Sequence, residues 1–144
     1  MSIRPLVIVV EDDEEMNHLE CELLQIHGME TVSAYSGAEA IEVAGRHQAD
    51  AILLDIMLPE IDGFECCRHL RARSSRRMPI IMITALDSED SRAEGMAAGA
   101  DAYFTKPFDP QEVADTVRRL VDAFRQQIGG GHNGISPPPC DPDS

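Results

Sequence analysis

Five polar residues stand where buried apolar runs end. Glu11 and Asp12 follow Leu6-Val7-Ile8-Val9-Val10, and Asp55 follows Ala51-Ile52-Leu53-Leu54. Thr84 closes Pro79-Ile80-Ile81-Met82-Ile83, and Lys106 comes just after Ala102-Tyr103-Phe104-Thr105. An apolar run without polar alternation is the pattern of a strand buried on both faces, as in a parallel sheet covered by helices. The C-terminal ends of such strands share one edge, which is where open α/β sheets hold their ligands. Three carboxylates gathered there repel one another, by about 4 kcal/mol per pair at a separation of about 4 Å and an effective dielectric of about 20. Lys106 offsets part of that repulsion, and a hard divalent cation with oxygen ligands offsets the rest. Mg²⁺ suits one or two carboxylates together with waters and a phosphoryl group. The set fits acyl-phosphate chemistry. Asp55 is the nucleophile, while cation, ammonium and hydroxyl take up charge on the transferred phosphoryl oxygens. Any one of these residues has an ordinary structural explanation; five on one edge do not share one.

The elements that must position them alternate along the chain. The spacing of Met16, Leu19, Leu23 and Ile26 predicts a helix from Asp13 to His27, with Asp13, Glu14 and Glu15 in its first turn and Gly28 at C′. Thr31–Ala34 reads as a short strand, and Ser36 caps a helix to about Arg46. Phe64–Ala72 reads as a helix carrying Cys66, Cys67 and Leu70, and a weak helix spans roughly Asp90 to Ala98, stopped by Gly99. Pro110 fits position N1 of a last helix whose Val113, Val117, Leu120, Val121 and Phe124 make an apolar stripe. Five βα units in strict alternation predict a doubly wound α/β domain, with a five-stranded parallel sheet, right-handed crossovers and helices on both faces. The Gly129-Gly130-Gly131 and Pro137-Pro138-Pro139 runs mark a disordered tail, placed at 127–144 after a domain over 4–126.

Composition excludes several classes. With 26 acids against 12 bases the formal net charge is −14, which argues against duplex DNA or an anionic membrane as a direct partner. It suits a cation or a basic protein partner. No apolar run approaches a membrane span, and the N-terminus does not read as a signal peptide. Cys21, Cys66, Cys67 and Cys140 form no CxxC pair, so zinc and a disulfide framework are disfavoured and a cytoplasmic protein with reduced thiols is expected. The five histidines lack metal-ligand spacing. The basic run Arg68, Arg71, Arg73, Arg76 and Arg77 has no interleaved aromatics and reads as a solvated loop. GxGxxG is missing.

Val9-Val10-Glu11-Asp12-Asp13, Leu53-Leu54-Asp55-Ile56-Met57-Leu58-Pro59 with Asp62-Gly63, Ile83-Thr84-Ala85 and Thr105-Lys106-Pro107-Phe108 together resemble the receiver domain of two-component response regulators. The resemblance covers about residues 4 to 126. It implies the flavodoxin-like (βα)5 fold with strand order 2-1-3-4-5. It implies that Asp55 is the phospho-acceptor from a histidine kinase or histidine phosphotransfer protein. Mg²⁺, with Mn²⁺ able to substitute, would be bound by Asp12 and Asp55 directly, by Glu11 through water and by the Met57 backbone carbonyl. Thr84 would be the switch hydroxyl and Tyr103 the switch aromatic that rotates inward behind it. Lys106 would be the phosphoryl-binding ammonium, followed by a cis Lys106-Pro107 peptide. The acid pair is framed as Glu11-Asp12, since Asp13 falls in the helix. Two departures bear on phosphoryl lifetime: Met57 stands where the family often has Asp or Asn, and Leu86, two after the threonine, is also apolar. Ala102 and Asp115 break the charged pattern of the winged-helix members that dimerise.

A protein that phosphorylates and dephosphorylates only itself is expected, rather than an enzyme with an external substrate. It would be a monomer or a phosphorylation-dependent dimer. A flavodoxin-like FMN carrier is disfavoured because Glu11-Asp12-Asp13-Glu14-Glu15 would repel the phosphate. A haloacid-dehalogenase-type phosphohydrolase wants an Asp at the place of Met57. For output, the alternatives are a stand-alone module that binds a protein target when phosphorylated and the N-terminal receiver of a longer transcription factor. A stop codon after Ser144 would favour the former.

Overall fold

The computed structural model describes residues 4–73 and 78–130. Strands β1 (Leu6–Val10), β2 (Glu30–Ala34), β3 (Ala51–Leu54), β4 (Ile80–Thr84) and β5 (Ala102–Thr105) alternate with helices α1 (Glu14–Ile26), α2 (Gly37–Arg46), α3 (Gly63–Arg73), α4 (Glu89–Ala98) and α5 (Pro110–Gly130). All strand pairs are parallel, and the order across the sheet is β2-β1-β3-β4-β5. The chain turns back between β1 and β3, so their C-terminal ends flank the crevice where the crossovers diverge to opposite faces.

The alternation of strand side chains separates two apolar layers. Ile8, Val10, Ile52, Leu54, Ile80 and Met82 pack beside Val43, Cys66, Cys67 and Leu70. Val7, Val9, Leu53, Ile81 and Ile83 pack beside Leu24, Val113, Val117 and Val121. The three central strands are therefore apolar at every position but Thr84, the last of β4, because both faces are covered.

Local chemistry sets the ends. Asp13 lies outside the first turn of α1: it is the N-cap, accepting from the backbone N–H groups of Glu15 and Met16. A short acceptor side chain gains more by satisfying those orphan donors than by entering the helix. Gly28, past the end of α1, has φ +87, the left-handed region that glycine enters without strain. Ser36 caps α2 as expected, and the left-handed Gly99 ends α4. Helix α5 continues through Gly130, beyond the boundary expected at 126, since Arg125, Gln126 and Gln127 are good helix formers. The rest of the expected tail, 131–144, lies outside the described residues.

Two further expectations need correction. The α1 stripe of Met16, Leu19, Leu23 and Ile26 faces the core only in part: Leu23 packs against the apolar layer, but Leu19 is 57% and Ile26 80% exposed, while Asn17, Glu20, Cys21 and Leu24 are buried. Arg71 is also no solvated base. Its Nε donates to the Gly99 carbonyl at 2.9 Å and its Nη1 to that of Met78 at 2.5 Å, and it pairs with Asp101. That fork ties the end of α3 to the starts of β4 and β5. Arg68 and Arg73 are exposed, and Arg76 and Arg77 lie outside the described residues.

Candidate functional site

The C-terminal edge gathers the five strand-end groups. Backbone pairing carries the sheet one residue past β1 and β3: Glu11 N–H donates to the Ala34 carbonyl at 3.1 Å, and Asp55 N–H to that of Val10 at 3.0 Å. These bonds fix where the two carboxylates start. Asn17, one turn into α1, braces the same segment, its amide nitrogen donating to the carbonyls of Val9, Glu11 and Ala34 at 3.1–3.3 Å. Ser33 in turn holds the Asn17 amide oxygen at 2.6 Å. Sequence reasoning passed over this bracket, although Asn17 stands four residues before Cys21 and seven before Leu24, a buried-face spacing.

Lys106 reaches across the edge from beyond β5. Its Nζ donates to Glu11 Oε1 at 2.7 Å and to Asp55 Oδ2 at 3.0 Å. The lysine is set by its own N–H, which donates to the Thr84 carbonyl at 2.8 Å, and the Lys106-Pro107 peptide that follows is cis. Asp55 Oδ1 accepts from the Met57 N–H at 3.0 Å, so both carboxylate oxygens are held. Glu11 and Asp55 are buried, whereas Asp12 is exposed at the mouth.

Burial pushes the Glu11 carboxyl up to about 7; the Lys106 hydrogen bond pulls it down, and Asp55 adds to the rise. Burial draws the Lys106 ammonium down, but its hydrogen bonds to Glu11 and Asp55 outweigh that and leave it above its usual value. The site is thus a compact set of acids around one cation.

Oxygens of Glu11, Asp12 and Asp55 come within 4.8 Å of one another. Three hard oxygen donors at that spacing fit a divalent cation of the Mg²⁺ type, and the uneven burial leaves an open side for water and a phosphoryl group. The residues present therefore fit the cation that the sequence implied.

Thr84 is fully buried at the end of β4, and its Oγ1 accepts from the Leu86 N–H at 3.4 Å. Tyr103 is buried as well, its hydroxyl donating to the Leu86 carbonyl at 2.7 Å. Arg92 of α4 fastens the ring from outside, with its guanidinium 4.9 Å from the ring centroid and Nη1 donating to the Tyr103 carbonyl at 3.1 Å. Threonine and tyrosine thus meet on one loop, between β4 and α4. The Met57 side chain is 55% exposed beside Asp55. Gly63 opens α3 directly against the loop after Asp55: a Cβ there would lie 2.4 Å from Ile56 Cα and 2.5 Å from the Asp55 carbonyl oxygen. Only glycine permits that approach.

The sequence matches the family described as response regulator receiver domain over residues 7–118. It is 39% identical over 115 residues to the alkaline phosphatase synthesis transcriptional regulatory protein PhoP of Bacillus subtilis (strain 168), covering 80% of this chain and 48% of that protein. It is 38% identical over 121 residues to response regulator MprA of Mycobacterium ulcerans (strain Agy99), covering 84% and 51%. The chain therefore spans about half the length of these curated relatives. Among solved structures, the receiver domain of the Francisella response regulator 1452 superposes with a TM-score of 0.78 at 32% identity, over 83% of this chain and 98% of that one. The BeF3-activated N-terminal receiver domain of Klebsiella pneumoniae RstA gives 0.75 at 35% identity, over 81% and 97%.

Proposed function

The chain belongs to the response regulator receiver family of two-component systems, and from that membership we propose that Asp55 accepts a phosphoryl group from a phosphohistidine of a histidine kinase or phosphotransfer protein. One observation carries this reading: the Lys106 ammonium bridges Glu11 and Asp55 while the Asp12 carboxylate closes the same cluster.

An Asp55 oxygen forms the new bond to phosphorus as the phosphorus–nitrogen bond breaks, and the imidazole leaves with the electron pair and takes up a proton. Asp12, Asp55 and the Met57 carbonyl would hold Mg²⁺ or Mn²⁺ directly, and Glu11 through water; a cation held there supplies positive charge to the phosphoryl oxygens. Lys106 gives up its hold on the Asp55 carboxylate and takes a phosphoryl oxygen instead. Thr84 turns its hydroxyl to another, releasing the Leu86 N–H, and Tyr103 shares that loop. The switch then alters the loop between β4 and α4 and the face around Tyr103, which a protein target reads. Phosphoryl gain and loss both occur on the chain itself, with no external substrate turned over.

A phosphorylation-dependent change between monomer and dimer belongs to the same reading, as does a domain over 4–126. No described helix is long and apolar enough to cross a membrane, and Cys21, Cys66 and Cys67 are buried free thiols. Those thiols support a cytoplasmic setting. A second reading, favoured by relatives twice as long, makes the chain the N-terminal receiver of a longer transcriptional regulator; the reading frame beyond Ser144 decides between the two.

The test is intact-mass analysis after exposure to a small phosphodonor. One phosphoryl group per chain is expected with Mg²⁺ and none with chelator or in Asp55→Asn. Undiminished labelling of Asp55→Asn, or turnover of phosphoesters that survives Asp55→Ala, would remove the receiver reading.

A further inference from the structure

Glu20 sits on the buried face of α1 at 3% exposure, and its Oε2 is a buried side-chain oxygen without a hydrogen-bond partner among the described residues. The inward residues beside it on α1 are Asn17, Cys21 and Leu24, and α5 lines the same layer with Val113, Ala114, Val117 and Val121. A leucine would fill this position at no polar cost, whereas an unpaired buried carboxyl costs roughly 1–3 kcal/mol. Packing does not explain the residue.

Its surroundings on the site side do. Helical side chains lean toward the helix N-terminus, and the N-terminus of α1 is the Glu11-Asp12-Asp13 loop. Burial pushes the Glu20 carboxyl up to about 8, and the charges whose fields reach it are Glu11, Lys106 and Asp55. An ammonium has three protons to donate. Lys106 gives one each to Glu11 and Asp55, which leaves one direction to fill and one buried carboxyl oxygen with no donor.

We infer that Glu20 is a positioning residue for Lys106, the carboxyl to which the ammonium turns when a divalent cation draws Glu11 away. The ammonium holds Glu11 Oε1 at 2.7 Å, and a cation gathered by Glu11, Asp12 and Asp55 draws on the same carboxylate. A second acid behind the site offers the ammonium a place to go, so the cation need not displace it into an apolar layer. The inference rests on the cation-dependent reading of the site and adds a residue to it.

Calorimetric titration with Mg²⁺ alone tests this in a double-mutant cycle. With Lys106 present, Glu20→Leu weakens Mg²⁺ binding about fivefold, and in a Lys106→Ala background the same substitution changes nothing. Glu20→Gln, which keeps a carbonyl acceptor, loses less. Glu20→Leu also raises the urea midpoint, so weaker binding comes with a more stable fold. A purely structural role would weaken binding equally in both backgrounds, and that result overturns the inference, as does a Glu20→Leu protein that binds Mg²⁺ like the wild type. If Glu20→Leu does not fold, Glu20→Met is carried through the same cycle and decides on the same criteria. A wild-type protein that binds no Mg²⁺ sinks the cation-dependent reading itself; wild-type binding with an unaffected Glu20→Leu sinks only the role of Glu20.

Discussion

Helices α1 and α5 lie on the same face of the sheet, yet they bury opposite chemistry. Helix α5 turns Val113, Val117 and Val121 inward, each at most 1% exposed, which is the stripe its sequence advertises. Helix α1 turns Asn17, Glu20 and Cys21 inward with Leu24 and leaves Leu19 and Ile26 in solvent. The difference follows from what each helix must support. Helix α5 closes the apolar layer, with Thr116 its one buried polar residue among those described, and its gain scales with apolar area removed from water. Helix α1 begins at the acidic loop, so its buried face has to hold the carbonyls of Val9, Glu11 and Ala34. Polarity inside α1 marks where the fold serves chemistry instead of compactness.

Substitutions that treat the two helices alike should separate them. The largest effect is expected from Val117→Asp, which sets an unpaired carboxylate in the apolar layer and costs about 4 kcal/mol or more, read as loss of cooperative unfolding by urea. A soluble variant with a near-native midpoint would mean that α5 does not close the layer.

The next effect is a pH dependence carried by α1. The folded state raises the Glu20 carboxyl from 4.5 to about 8 by burial. Between those values the folded chain binds more protons than the unfolded one, so stability falls as pH rises from about 5 to about 9. The change is a few kcal/mol at most, and Glu20→Gln should flatten the slope of the urea midpoint against pH. Parallel slopes in the two proteins would show that Glu20 meets solvent in the folded chain.

The smallest effect belongs to the outward stripe. Leu19→Gln should shift stability by no more than about 0.5 kcal/mol, because the side chain is already in water. A loss beyond about 1 kcal/mol would return that stripe to the core and dissolve the contrast with α5.

Much of this arrangement was legible in the chain. Apolar runs without alternation marked the strands, and the polar residue at each end marked the edge; the crevice at that edge followed from the parallel connectivity. The cluster of Glu11, Asp12, Asp55 and Lys106 was therefore readable before any coordinates. The inward face of α1 was not, because two stripes fit a helical period there: Met16, Leu19, Leu23, Ile26 and Asn17, Glu20, Cys21, Leu24. Hydrophobicity picks the first. The choice turns on a bond from Asn17 to the end of another strand, and no local pattern reports that. Arg71 escaped for the same reason, since its acceptors are carbonyls on other elements. The N-cap role of Asp13 was within reach, being a local hydrogen bond of a familiar type.

The contact of Gly63 with the loop after Asp55 has a bearing beyond packing. The Gly63 N–H donates to the Ile56 carbonyl at 2.8 Å, the Leu58 N–H meets that same carbonyl at 2.9 Å, and no atom fits between the two backbones. A joint that tight has no play. The segment carrying Asp55 and the first turn of α3 move as one piece, like a key cut from the same blank as its bow.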